Sequence, residues 1–185
     1  MLGLGNSIIN GGPKLRLIGM YTSDFTSGVD NWAASSVQGT LTLTANQTAP
    51  GSGEAGWLKG TFDTNQDNQA GIKNTALFGG NILMKIGGYH ELSMKIYLDN
   101  PSASTGDYWG GADDVGTFGL INGRGLSPTP QVPQEEVFNL SEKSSNFTSE
   151  TTNQTGDIYW ISAGDRPAAN AVFYIKDIVW KVYGY

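Results

Sequence analysis

The sequence predicts an all-β protein built as an antiparallel sandwich, and three observations carry that expectation. Period-two patterning recurs along the chain and is clearest in Thr40-Leu41-Thr42-Leu43-Thr44, where leucines point one way and threonines the other. Glycine fills 26 of 185 positions and aromatics make up 11%, against only 15% charged residues, a composition that suits a turn-rich β protein better than a helical bundle. No regular alternation with helices long enough to serve as parallel crossovers is present, so the strands should pair antiparallel.

Taken in chain order, the strand candidates are residues 18–23, 40–44, 55–62, 90–98, 116–121, 145–152, 157–163 and 171–183, separated by Gly, Asn, Asp, Ser and Pro clusters. The segments 100–115 and 123–134 carry Pro101, Pro128, Pro130 and Pro133 and read as long loops. Only residues 133–143 look mildly helical. The last candidate is the strongest, because its β-branched and aromatic residues suit a pleated, mostly buried surface, and it should lie centrally in a sheet. Asp177 interrupts that run, and a carboxylate there needs a cation, a basic side chain or backbone N–H groups to meet it.

Residues 1–18 combine Leu2, Leu4, Ile8, Ile9, Leu15, Leu17 and Ile18 with a Gly11-Gly12-Pro13 break. They read either as an extended arm that docks on another subunit or as an opening strand of the same domain. Residues 19–185 would then form one domain. The first residues lack a basic leader and a continuous apolar run, so no export signal is expected. No stretch approaches the roughly 18–20 apolar residues of a membrane span.

Composition also narrows the chemistry. Eleven basic against 17 acidic residues give a formal net charge of −6, which argues against a nucleic-acid partner. The absence of cysteine removes disulfides, thiolate metal sites and cysteine nucleophiles, and the single histidine, His90, closes most triad chemistry. A glycosidase needs two carboxyls across the scissile bond, whereas Asp113-Asp114 and Glu135-Glu136 are sequence neighbours that a strand sends to opposite faces. No nucleophile elbow, phosphate-binding loop or metalloprotease helix is present. Asn46, Asn139, Asn146 and Asn153 head Asn-x-Ser/Thr triplets and read as turn residues. The expectation is a non-enzymatic protein.

The candidate ligand site is the acidic, glycine-rich segment around Tyr108 and Trp109, with Asp107 and Asp113 beside them. Sugar recognition needs an apolar ring face for C–H groups and carboxylates for hydroxyls, and this segment has both. Trp109 could equally fold back as a lid on the sandwich end. Trp32, Trp57, Trp160 and Trp180 lie in or beside strands and are expected in the core by default, with a groove-facing placement for about one in four as the alternative.

The segments SDFTSGVDNWAASSVQGTLTLT, HELSMKIYLD, NFTSETTNQTGDIYW and VFYIKDIVWKVY resemble, in that order, the jelly-roll carbohydrate-binding modules of polysaccharide-degrading enzymes. The resemblance covers about residues 20–183 and implies two antiparallel sheets, aromatic side chains that stack on sugars, and a structural calcium. It would place that calcium on Asp177 with Asp24 or Asp30, a hard cation that takes about six to eight oxygens. Where such modules commonly carry two adjacent acids, this chain has Lys176-Asp177, so an ion-paired Asp177 is the competing expectation. The opening Met-Leu-Gly-Leu-Gly-Asn-Ser is similar to the first residues of virion structural proteins of tailed bacteriophages. Together the resemblances imply a decoration protein on the head or tail, at the virion surface and released by lysis. It would contact other virion proteins through residues 1–18, engage host or environmental glycans and form a homo-oligomer. A carbohydrate-binding module associated with an enzyme and a capsid cement protein without ligand are the alternatives.

Overall fold

A computed structural model describes residues 14–35, 37–66, 70–74, 76, 89–99, 107–113, 131–139, 156–162 and 168–185. Among the described residues ten strands appear in chain order: β1 Arg16–Ser23, β2 Trp32–Ser35, β3 Leu41–Gln47, β4 Trp57–Phe62, β5 Ala70–Asn74, β6 Tyr89–Asp99, β7 Asp107–Asp113, β8 Gln134–Asn139, β9 Gly156–Ser162 and β10 Val172–Gly184. They form two antiparallel sheets. The larger runs β3-β4-β10-β6-β8, with β1 also on β10, and the smaller runs β2-β5-β9-β7. Among the described residues no helix is long and apolar enough to cross a membrane.

β10 is central, as its composition suggested. One edge pairs with β6 along nearly its whole length, while the other pairs first with β4, over Val172–Ile175, and then with β1, from Ile178 onward. The change of partner coincides with a bulge between Lys176 and Val179, where Asp177 takes a left-handed φ of 54°. The extra residue explains a parity change in the sequence: Phe173 and Ile175 are buried on odd numbers, Ile178, Trp180 and Val182 on even ones. Without the bulge, one half of β10 would turn its apolar row to the wrong face.

The main core lies between the sheets. Leu58 and Phe62 of β4, Leu92, Met94, Ile96 and Leu98 of β6, and the inward row of β10 meet Trp32, Ala70 and Ile72 of the smaller sheet. Buried polar groups are tied down beside it. Asn74 Nδ2 donates to Tyr21 Oη and to the Asp30 carbonyl, both at 2.9 Å, and Gln66 holds the backbone of Gln38 from both ends of its amide. Burial pushes the Tyr21 phenol above its ordinary pKa.

Three expectations need correction. Residues 133–143 were expected to be mildly helical, yet 134–139 form β8, paired with β6 so that Glu135 stands opposite Lys95. Cross-strand pairing outweighs the helical preference of two adjacent glutamates. Segment 100–115 was expected to be a loop, but Asp107–Asp113 is β7, in register with β9 at seven positions. Its two glycines and two acids hid a strand whose partner β9 contributes Ile158, Tyr159, Trp160 and Ile161. Residues 16–18, assigned to the arm, belong to β1, while residues 1–13 lie outside the described residues, as do the strand candidates 116–121 and 145–152. β2 and β5 are too short to show alternation.

Candidate functional site

The larger sheet has a second, outward face, and its side chains alternate with the core row. Trp57 and Lys59 of β4, Lys95 and Tyr97 of β6, and Tyr174 and Lys176 of β10 occupy it. Trp57, Tyr97 and Tyr174 cluster there with Ala49, apart from the main core. The two tyrosine rings meet edge-on at 5.6 Å between centroids, and Lys59 Nζ stands 6.0 Å above the Tyr174 ring. These rings are only 1%, 3% and 8% exposed although they lie outside the sandwich, so something covers them.

Part of the cover is the β3–β4 connection, residues 48–56. Ala49 packs on the rings, and the chain turns through Gly51 and Gly53 at φ 75° and 67°, a left-handed conformation that a side chain would strain. Ser52 Oγ donates to the Ala49 carbonyl at 2.7 Å. Glu54 then reaches past β4 to Lys176 on β10 and Lys95 on β6, with Oε2 at 3.1 and 3.0 Å from their ammonium nitrogens. Strands lie about 4.8 Å apart, so the reach from β4 to β6 is about 10 Å, and the loop must lie flat across the sheet. Lys176 Nζ also donates to the Ala55 carbonyl at 2.7 Å.

The hydrogen bond from Lys95, and then that from Lys176, hold the Glu54 carboxyl below its ordinary pKa, while Glu54 and then Asp177 raise that of Lys95. A depressed carboxyl pKa means that the contact stabilises the closed loop above the ordinary carboxylate range and is lost as pH falls through the depressed value. Hydrogen-exchange protection of residues 51–55 should therefore fall on acidification below that range. It should also fall at about 1 M salt, where the screening length shrinks to about 3 Å. Protection unchanged under both conditions would contradict an electrostatic latch.

Beside the loop opens a cleft of about 320 Å³, lined by Gly51, Ser52, Glu54, Trp57, Lys95, Pro133 and Glu135. Its size falls in the range of small-ligand sites. An aromatic ring, a proline, a hydroxyl and two carboxylates suit a polyhydroxylated ring with one apolar face. Trp57 Nε1 is buried and has no acceptor among the described residues. An unmet buried donor costs about 1–3 kcal/mol.

The residues singled out in the sequence fall elsewhere. Asp107, Tyr108, Trp109 and Asp113 all belong to β7, at the edge of the smaller sheet. Trp109 stands in one cross-strand row with Trp160 and the buried Ala70, and Tyr108 is opposite Ile161. Trp32 and Trp180 are buried in the main core as expected, but Trp57 belongs to the outward cluster. The sequence did carry a signal for the missed cluster: Trp57, Tyr97 and Tyr174 each sit one position out of phase with an aliphatic row.

The three aspartates expected to hold calcium have other partners. Asp177, displaced outward by the bulge, pairs with Lys95 at 3.3 Å. Asp24 Oδ1 accepts from the Thr26 N–H and hydroxyl, and Asp30 Oδ2 accepts from the Ser23 hydroxyl. The Thr26 N–H, then its hydroxyl, hold the Asp24 carboxyl below its ordinary pKa. Among the described residues no three His, Asp or Glu side chains converge as a metal cluster. As placed, the three carboxylates do not fit the shared oxygen cage such an ion needs.

No family model and no curated protein matches the sequence. Solved structures do match the fold. The xylan-binding module CBM15 is 8% identical, with a TM-score of 0.52 over 89% of this chain and 96% of its own. The family 11 carbohydrate-binding module from Clostridium thermocellum, in complex with a β-1,3-1,4-mixed-linked tetrasaccharide, is 13% identical, with a TM-score of 0.50 over the same shares. At such identities the likeness concerns architecture, and with the two antiparallel sheets it establishes that this chain is a jelly-roll β-sandwich of the kind seen in carbohydrate-binding modules.

Proposed function

We propose that the protein is a non-enzymatic glycan-binding module carried on the surface of a bacteriophage virion, with its binding face on the outward side of the larger sheet around Trp57. The observation that carries the glycan reading is the cluster of Trp57, Tyr97 and Tyr174 outside the core, next to a cleft that offers carboxylate and hydroxyl partners. The modules of similar fold, one named for xylan binding and one bound to a tetrasaccharide, support the same reading. The virion reading rests on the opening residues alone, whose resemblance to phage structural proteins implies docking through residues 1–18. Many copies on one particle would turn weak sugar contacts into avidity.

A glycan array probed with an oligomerised form of the full chain tests the first half. Binding to at least one polysaccharide class, weak for the monomer and strong for the oligomer, is expected, and silence across the array contradicts it. Mass spectrometry of purified particles tests the second half: the chain should be present in many copies, and its absence contradicts the virion assignment.

A further inference from the structure

We propose that Lys95 and Lys176 form an anchor for a carboxylate of the ligand, so that the site favours uronate-bearing glycans, and that Glu54 is an internal stand-in which the ligand's carboxylate displaces. This rests on reading the outward sheet face as a glycan site. Lys176 and Lys95 are direct cross-strand partners. Like charges placed opposite one another destabilise a sheet, and an anion between them offsets the repulsion. Here the anion shared by both ammonium groups is Glu54 Oε2, and Asp177 adds a second carboxylate on Lys95 alone, at 3.3 Å. It comes from a loop that no strand pairing holds in place, and Glu54 is itself exposed.

The surroundings fit a sugar acid. The same loop that delivers Glu54 places Ala49 on the aromatic cluster, so displacing the carboxylate and uncovering the rings are one movement. Trp57, whose buried Nε1–H has no acceptor among the described residues, lines the same cleft as Lys95. With Glu54 withdrawn, the face carries Lys59, Lys95 and Lys176, three of the chain's 11 basic residues, against Asp177 and Glu135. The face is then locally cationic on a chain of net charge −6. The long-range field therefore opposes polyanions in general, and only a carboxylate placed at short range beside a stackable ring gains from the anchor.

Calorimetric titration of the full chain with trigalacturonate and, in parallel, with xylotriose tests this. Glu54→Gln keeps the side-chain shape and removes the competing charge. It should bind trigalacturonate about three- to tenfold more tightly than the parent, the range expected when an exposed ion pair no longer holds the closed state, and bind xylotriose with a clearly smaller gain, since a neutral sugar profits from the freed loop but not from the freed lysines. Adding Lys95→Gln and Lys176→Gln to that variant should abolish the gain, and melting curves confirm that each variant is folded. Equal gains for both sugars, or xylotriose binding without trigalacturonate binding, would overturn the carboxylate anchor while leaving the glycan reading intact. Failure of both sugars in all folded variants, together with a silent array, overturns both.

Discussion

Gly60→Ala should lower the stability of the fold by about 1–3 kcal/mol, read as a melting temperature lower by roughly 2–10 °C for a domain of this size. Gly60 lies on β4 directly opposite Phe173 of β10, and a Cβ at Gly60 would penetrate the Phe173 ring. The ring has no room to retreat: it is fully buried and packs against Phe62 at 6.0 Å between centroids. Chemical denaturation checks the magnitude, and a double-mutant cycle checks the cause. Phe173→Leu removes the ring atoms that collide, so Gly60→Ala should cost less in that background than in the parent. Additive losses would mean that the glycine is needed for some other reason.

Trp57→Ala should weaken glycan binding by about 30-fold or more, the loss typical of removing a central aromatic contact. It should also destabilise the protein by about 3–5 kcal/mol, because the indole is almost fully buried. Trp57→Phe separates the two effects. It keeps an apolar ring beneath Ala49 and removes a donor that has no acceptor among the described residues, so its stability cost should be well below that of Trp57→Ala. Binding should still fall, since the ring is smaller and the N–H is gone. A Trp57→Phe protein that binds glycans as well as the parent would remove the indole from the site.

The architecture was legible where alternation ran long enough to be seen. β3, β4, β6, β9 and β10 all fall close to their expected positions, because each shows a β-rich run bounded by turn residues. β7 and β8 were illegible for opposite reasons: Gly110-Gly111 made one look like a loop, and Glu135-Glu136 made the other look helical. Each has only one short strand-favouring pair, Tyr108-Trp109 or Val137-Phe138, and the pairing that completes them comes from β9 and β6. The bulge at Asp177 left a trace in the parity change between Ile175 and Ile178, which identifies the aspartate as a residue pushed out of the apolar row and so able to reach Lys95.

The candidate site was much less legible. Alternation says that a strand has two faces but not which face meets the other sheet, and an aromatic such as Trp57 or Tyr174 is at home on either. What distinguishes the outward face is a loop reaching back across β4 and β10, and its evidence is a set of contacts between residues 41 and 122 positions apart. Such contacts leave no local pattern. The sequence expectation centres on Tyr108 and Trp109, aromatics in a glycine-rich segment that forms β7.

The most direct test of the central claim, that glycans meet the outward face of the larger sheet, is a two-dimensional 1H–15N spectrum of the uniformly labelled protein titrated with a glycan that binds on the array. The Trp57 indole resonance should shift most, together with the amides of residues 49, 51–56 and 95–97. Shifts gathered on residues 107–113, with the Trp57 indole unmoved, would place the binding site on β7 and contradict the account.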